Sequence, residues 1–224
     1  MAFFISQICY TYNMLKKYYT GVGSRETPEK YLKMMTELAY YLDKAGWTLR
    51  SGGSWGADEA FQKGVSSDFS NIFLPKPNWR KEDGIQGVCI SDKELIRDAM
   101  YAITKYNVHE DWDHLLNSRG DGALMTVKLH TRNVFQVLGD NLKNPSKFFV
   151  CYTRDGATTV EETNKDTGGT RTALRLAAIF NVPIFNLGKM EHELRIRNWI
   201  EEMKEQELKN SNKIELNNRK KCTI

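Results

Sequence analysis

Two glycine pairs about 115 residues apart, in Arg50-Ser51-Gly52-Gly53-Ser54-Trp55-Gly56-Ala57-Asp58 and in Thr167-Gly168-Gly169-Thr170-Arg171-Thr172, each sit between an apolar strand-like run and a helix-like run. A third turn of the same kind is Thr20-Gly21-Val22-Gly23-Ser24-Arg25. Glycine permits the left-handed backbone that turns consecutive amides toward an anion. The helix that follows adds the partial positive charge of its N-terminus. A plain alternative exists, since a Gly-Gly between strand and helix is often only a tight connection. Recurrence of the pattern on one chain points instead to a shared crevice that holds a polyanion.

Side chains near these turns fit that chemistry. Arg25, Lys128, Arg132 and Arg171 are available to pair with phosphates. Lys128, Arg132 and Gln136 form an i, i+4, i+8 polar stripe, which reads either as a solvated helix face or, with Asn133 beside Arg132, as a wall of the crevice. Trp55 can stack on a base or shield the pocket, with a core or interface role as the alternative. Asp58 can accept from a ribose hydroxyl, although Asp58 and Glu59 also suit a first helical turn for the dipole alone. If the protein is an enzyme, Glu161 and Glu162 are the available catalytic carboxylates. His109, His114, His130 and His192 match neither a zinc spacing nor a Ser-His-Asp arrangement, so no metal and no cofactor are expected.

The 224 residues suit one α/β domain, and 41% hydrophobic with 27% charged residues excludes wholesale disorder and a membrane class. No run of about 18 apolar residues occurs, and the short apolar start lacks the features of a signal peptide. Cys9, Cys89, Cys151 and Cys222 lack any C-x-x-C spacing, which points to free thiols in a reducing, cytoplasmic compartment. The net charge is +4, but six basic and three acidic residues lie between Lys204 and Ile224. The body is therefore nearly neutral, which argues against a dedicated nucleic-acid surface.

The elements that position these residues follow from periodicity. Lys17 to Val22 reads as a first strand. A helix over Thr27 to Ala45 has Thr27 as a cap-like residue and Pro28 at its first position. Trp47 to Ser51 is a second strand and Ala57 to Val65 a second helix. Asn71 to Pro75 is a third strand. Residues 79–120 form a looser insertion expected over the crevice, with a helix from Asp92 to Tyr106 capped by Asp92. A long helix spans Asp121 to Leu142, and Phe148 to Tyr152 is apolar enough to be a central parallel strand. Thr172 to Phe180 is helical, Val182 to Asn186 is a strand, and a last helix covers Met190 to Lys204. Such alternation predicts a Rossmann-like parallel sheet flanked by helices, with ligands beyond the carboxyl ends of the strands. The expected organisation is an N-terminal appendage over 1–16, with Met14 as an alternative start, one domain over 17–204, and a charged flexible tail over 205–224.

Gly21-Val22-Gly23-Ser24-Arg25, Ser51-Gly52-Gly53-Ser54-Trp55-Gly56-Ala57-Asp58, Arg132-Asn133-Val134-Phe135-Gln136-Val137-Leu138-Gly139 and Gly168-Gly169-Thr170, in this order, resemble the SLOG superfamily. That group includes the Rossmann-like domain of DprA/Smf proteins, LOG phosphoribohydrolases, and nucleotide-ligand sensors of bacterial defence systems. The look-alikes are small DprA-like proteins of phages and bacteria, so the cytoplasm implied is the host's where a phage encodes the chain. The resemblance covers about residues 17 to 190. It departs from the hydrolase signature P-G-G-x-G-T-x-x-E, since Arg175 stands at the glutamate and Arg171 at a glycine. The resemblance therefore implies binding, by sensing or sequestration, of a nucleotide-derived small molecule such as ADP-ribose or a cyclic relative. N-glycosidic hydrolysis and single-stranded DNA binding are its alternatives, and a homodimer or tetramer is plausible by resemblance.

Overall fold

The strands Lys17–Gly21 (β1), Trp47–Ser51 (β2), Ser70–Ile72 (β3), Phe149–Cys151 (β4) and Ile184–Asn186 (β5) form an all-parallel sheet in the order β3-β2-β1-β4-β5. Each pairing is parallel, as in Thr20 opposite Phe149 and Leu49 opposite Ser70. The order reverses direction between β1 and β4, and the crevice of a doubly wound sheet opens beyond the carboxyl ends of strands at such a point. This is the expected Rossmann-like architecture. The computed structural model describes residues 16–66, 68 and 70–221, with side chains described as far as residue 210. The expected appendage, apart from Lys16, and the alternative start at Met14 lie outside the described residues.

Seven α-helices appear among the described residues: Glu29–Lys44 (α1), Ala57–Lys63 (α2), Lys93–Lys105 (α3), Trp112–Asn117 (α4), Asp121–Leu138 (α5), Arg171–Ile179 (α6) and Met190–Lys221 (α7). They cover both faces of the sheet. On one face Tyr19, Leu49 and Val150 pack against Met35 and Leu38 of α1, Phe61 of α2 and Ile196 of α7. On the other, Phe149 and Cys151 meet Val134, Phe135 and Val137 of α5, Leu174 of α6 and Ile103 of α3. Each large apolar side chain fully withdrawn from water contributes about 1.5–3 kcal/mol. The two cores hold the strand ends, and hence the turns, in fixed positions.

Local chemistry sets the boundaries. Asp92 caps α3 by accepting from the amides of Glu94 and Leu95 at 2.8 and 3.2 Å. Thr27 does not cap α1: its hydroxyl donates to the Ser24 carbonyl at 2.7 Å, and Pro28 occupies the cap position. α5 stops at Leu138 rather than Leu142, because Gly139 turns left-handed at φ 81°. The buried Arg50 guanidinium sits against that turn and donates to the Asn144 carbonyl at 2.6 Å. The last helix runs on through the expected flexible tail to Lys221. No helix among the described residues is long and apolar enough to cross a membrane.

Candidate functional site

The end of β1 continues into Gly23, Ser24 and Arg25, where the Ser24 amide donates to the Tyr152 carbonyl beyond β4 at 3.1 Å. Gly23 and Tyr152 thus flank the point where the strand order reverses, and both line a cleft of about 480 Å³. Ser54, Asp58, His130, Arg132, Asn133 and Gln136 line it from the β2–α2 turn and α5, and Lys165 through Thr170 line it from the opposite side. The two glycine turns that stand far apart in sequence therefore border one space.

Arg132 and Asn133 join them. Arg132 Nη1 donates to the Gly52 carbonyl at 2.6 Å and to Ser54 Oγ at 3.3 Å, and its Nη2 donates to Asn133 Oδ1 at 3.0 Å. Asn133 Nδ2 then donates to the Gly169 carbonyl at 3.2 Å. A side chain at Gly52 would collide with Arg132 Nη1 and Gln136 Nε2, so glycine here lets α5 close on the turn.

The first turn carries its own anion. The buried Asp58 carboxylate accepts from the Ser54 amide at 3.3 Å, lies near the amides of Gly23 and Gly52, and is 3.8 Å from Arg132 Nη1. Burial pushes its pKa up, against the opposing pull of Arg132 and the amides. The Ser54 amide of the expected phosphate turn thus faces a carboxylate of the chain itself. Asp58, foreseen as a ribose acceptor, lines the cleft while making these contacts. Gly53, Trp55 and Gly56 do not line the cleft. The Gly53 carbonyl accepts from Trp79 Nε1 at 3.0 Å, while Trp55, 47% exposed, lies under the Arg80 guanidinium at 4.3 Å and edge-on to Trp79 at 6.2 Å.

The second turn is open. Gly168 has φ 59°, and a Cβ at Gly168 or Gly169 would meet nothing within 4 Å. Its shape is set at its base: Asn164 and Thr167 form a reciprocal capping box, and Asp155 accepts from the hydroxyls of Thr153 and Thr167. Tertiary contacts hold the turn while its own surface faces solvent.

Arg132 is buried, and burial lowers its pKa while Asp58 sustains its charge and the facing Arg25 opposes it. Arg132 Nε and Gln136 Nε2 are buried donors that find no partner among the described residues. At the mouth, Arg154 pairs with Glu26 at 3.0 Å, and exposed Arg25 and Lys165 add positive charge. No group of three or more metal-ligating side chains occurs among the described residues.

The remaining expected residues are placed elsewhere. Gly21 and Ser51 lie beneath the cleft, with Ser51 Oγ donating to the Gly21 carbonyl at 2.7 Å. Lys128 is exposed and outside the lining, because the first half of α5 projects past the core. Arg171 is turned away from the cleft and pairs with Glu110 at 2.9 Å. Glu161 and Glu162 do not line the cleft; Glu162 is held by Lys189 and by the Thr158 amide and hydroxyl, which bring its pKa down to about 2. No residue of the 79–120 insertion lines the cleft, in contrast to its expected position over the crevice.

Tyr152, His130, Arg154 and Lys165 enter the site without having been singled out. Tyr152 ends the apolar run of β4, the position from which a doubly wound sheet presents residues to a ligand. Its ring stacks on Tyr31 at 4.8 Å. His130 Nδ1 lies 2.8 Å from Thr172 Oγ1, and burial, then His109, Arg132 and Arg171, take its pKa down to about 3.

Among solved structures, the chain is similar to DNA processing protein A from Helicobacter pylori, described for its single-stranded DNA binding mode. The likeness has a TM-score of 0.46 and 14% identity over 85% of this chain and 81% of that one. No family model and no curated protein matches the chain.

Proposed function

We propose that the chain binds a nucleotide-derived small molecule, such as ADP-ribose or a cyclic relative, in the cleft at the ends of β1 and β4. The observation that carries this is the cleft lining itself, in which the open Gly168-Gly169 turn shares one space with Arg132, Asn133 and Gln136 of α5 and with the exposed Arg25 and Lys165. Guanidinium and ammonium groups beside backbone amides turned to solvent suit an anion. A phosphate sits on the Gly168 to Thr170 backbone at the start of α6, with Arg132, Arg25 and Lys165 facing it. The base lies toward Tyr152, whose ring offers the aromatic surface first expected of Trp55. Of the three glycine turns, two serve the ligand and the Gly52-Gly53 turn serves the scaffold.

Single-stranded DNA is the second reading, favoured by the exposed Arg25 and Lys165 at an open mouth. Calorimetric titration of AMP, NAD and ADP-ribose, with chromatography of the recovered ligand, tests the proposal and also reports turnover. Saturable binding with intact ligand supports sensing or sequestration, and released base reassigns the cleft to hydrolysis. Affinity for an oligonucleotide alone, falling steeply with salt, would transfer it to the second reading.

A further inference from the structure

A second cationic cluster lies behind the Gly168-Gly169 turn, outside the cleft. Arg171 Nη1 and Arg175 Nη2, one turn apart at the start of α6, each donate to the Glu110 carboxylate at 2.9 Å. The arginine side chains are 19% and 10% exposed, whereas the Glu110 side chain is 57% exposed. Glu110 comes from the link between α3 and α4, while both arginines sit on a helix packed into the core. Arg175 Nε donates further to Thr163 Oγ1 at 2.6 Å. Arg171 Nε, His109 Nδ1 and Trp112 Nε1 are buried without a partner among the described residues. His109 feels the charges of Glu110, Asp111, Arg171 and Arg175, which places it in the same cluster.

Among the described residues Glu110 alone contacts both guanidinium groups, with Asp111 near the cluster, and the Arg171 Nε donor is left unused. Guanidinium pairs of this kind match the oxygens of a phosphate better than a single carboxylate does. Stripping the paired carboxylate from two largely buried arginines is costly, so it leaves only when another anion replaces it. Its own exposure and loop origin make Glu110 the replaceable partner.

We infer that Arg171 and Arg175 form a second anion site, which Glu110 occupies from within the chain and which a phosphate-type oxyanion takes by displacing it. Displacement also unfastens the α3–α4 link from α6. Because Glu110 is tethered, it competes at a high effective concentration, and its removal exposes the full affinity of the arginines.

The test is calorimetric titration of inorganic pyrophosphate into the wild-type chain, Glu110→Gln, and Glu110→Gln combined with Arg171→Gln. Glu110→Gln is expected to bind at least about fivefold more tightly than wild type, and the second substitution to remove that gain. In parallel, amide exchange over residues 107–118 of the wild-type chain is expected to rise when pyrophosphate is added. Equal or weaker binding by Glu110→Gln, a gain that survives Arg171→Gln, or unchanged exchange with pyrophosphate bound would overturn the inference. A gain in Glu110→Gln supports it whether or not ADP-ribose binds the cleft, so this site and the nucleotide proposal fail separately.

Discussion

Arg132 Nη2 donates to the side-chain oxygen of Asn133 at 3.0 Å, and through this contact the Gly52 and Gly169 carbonyls are tied into one chain of hydrogen bonds. Adjacent residues on a helix point about 100° apart, so one can reach the β2–α2 turn while the next reaches the turn before α6. The geometry of the cleft thus depends on two consecutive side chains of α5, whose C-terminal end is anchored by Thr20 Oγ1 donating to the Gln136 carbonyl at 2.7 Å.

Arg132→Met should therefore act on stability as well as on binding. It leaves Asp58 buried with amide donors but no cation, and breaking a buried pair in this way costs about 3–5 kcal/mol. Urea denaturation should show that loss in full, whereas Arg132→Met unfolding within about 1 kcal/mol of wild type would mean that Asp58 is satisfied by amides alone.

Gly168→Val separates binding from folding. The open surroundings admit the side chain, and the left-handed backbone costs about 1–3 kcal/mol. Nucleotide affinity should fall by about tenfold or more, since the substitution disturbs the amides that cradle phosphate. Retention of affinity in a folded Gly168→Val protein would show that the ligand does not touch this turn.

The two aromatic residues should behave in opposite ways. Tyr152→Ala is expected to weaken binding by about 1–3 kcal/mol through lost base stacking, while Trp55→Ala, outside the cleft, leaves affinity within about twofold. The reverse result in the same titrations would put the base on the Trp55, Trp79 and Arg80 surface.

His130 gives a pH dependence. Its folded pKa of about 3 lies below the ordinary 6.5, so the unfolded chain takes up a proton in the interval where the folded chain does not. Stability from this group is complete above about pH 6.5 and is lost as pH falls toward 3, with a slope approaching 1.4 kcal/mol per pH unit. His130→Gln should flatten the acid limb of stability measured from pH 7 to pH 4. Parallel limbs in the two proteins would show that His130 is protonated in the fold.

How far the sequence discloses this arrangement depends on whether the cause is local. The strand and helix alternation is legible because apolar periodicity and Gly or Pro punctuation act over a few residues, as at Asp92 and Pro28. That Arg132 and Gln136 share a helix face is readable from their spacing; that this face closes on the glycine turns is not, since Lys128 of the same stripe lies exposed outside the lining. The pairing of Arg171 with Glu110 is not, since it depends on where a loosely patterned insertion docks. Nor is the contact of the Ser54 amide with Asp58, because the same glycine pattern serves an external anion or an internal one. Tyr152 was hidden for another reason: it closes an apolar run and reads as core until the strand order puts its end at the crevice.

The most direct measurement is a crystal structure of the chain with ADP-ribose. A phosphate within hydrogen-bond reach, about 2.7–3.2 Å, of the Gly169 or Thr170 amide and contacting Arg132, with the base toward Tyr152, is the predicted result. A ligand bound elsewhere, or an empty cleft at millimolar ADP-ribose, would contradict the assignment.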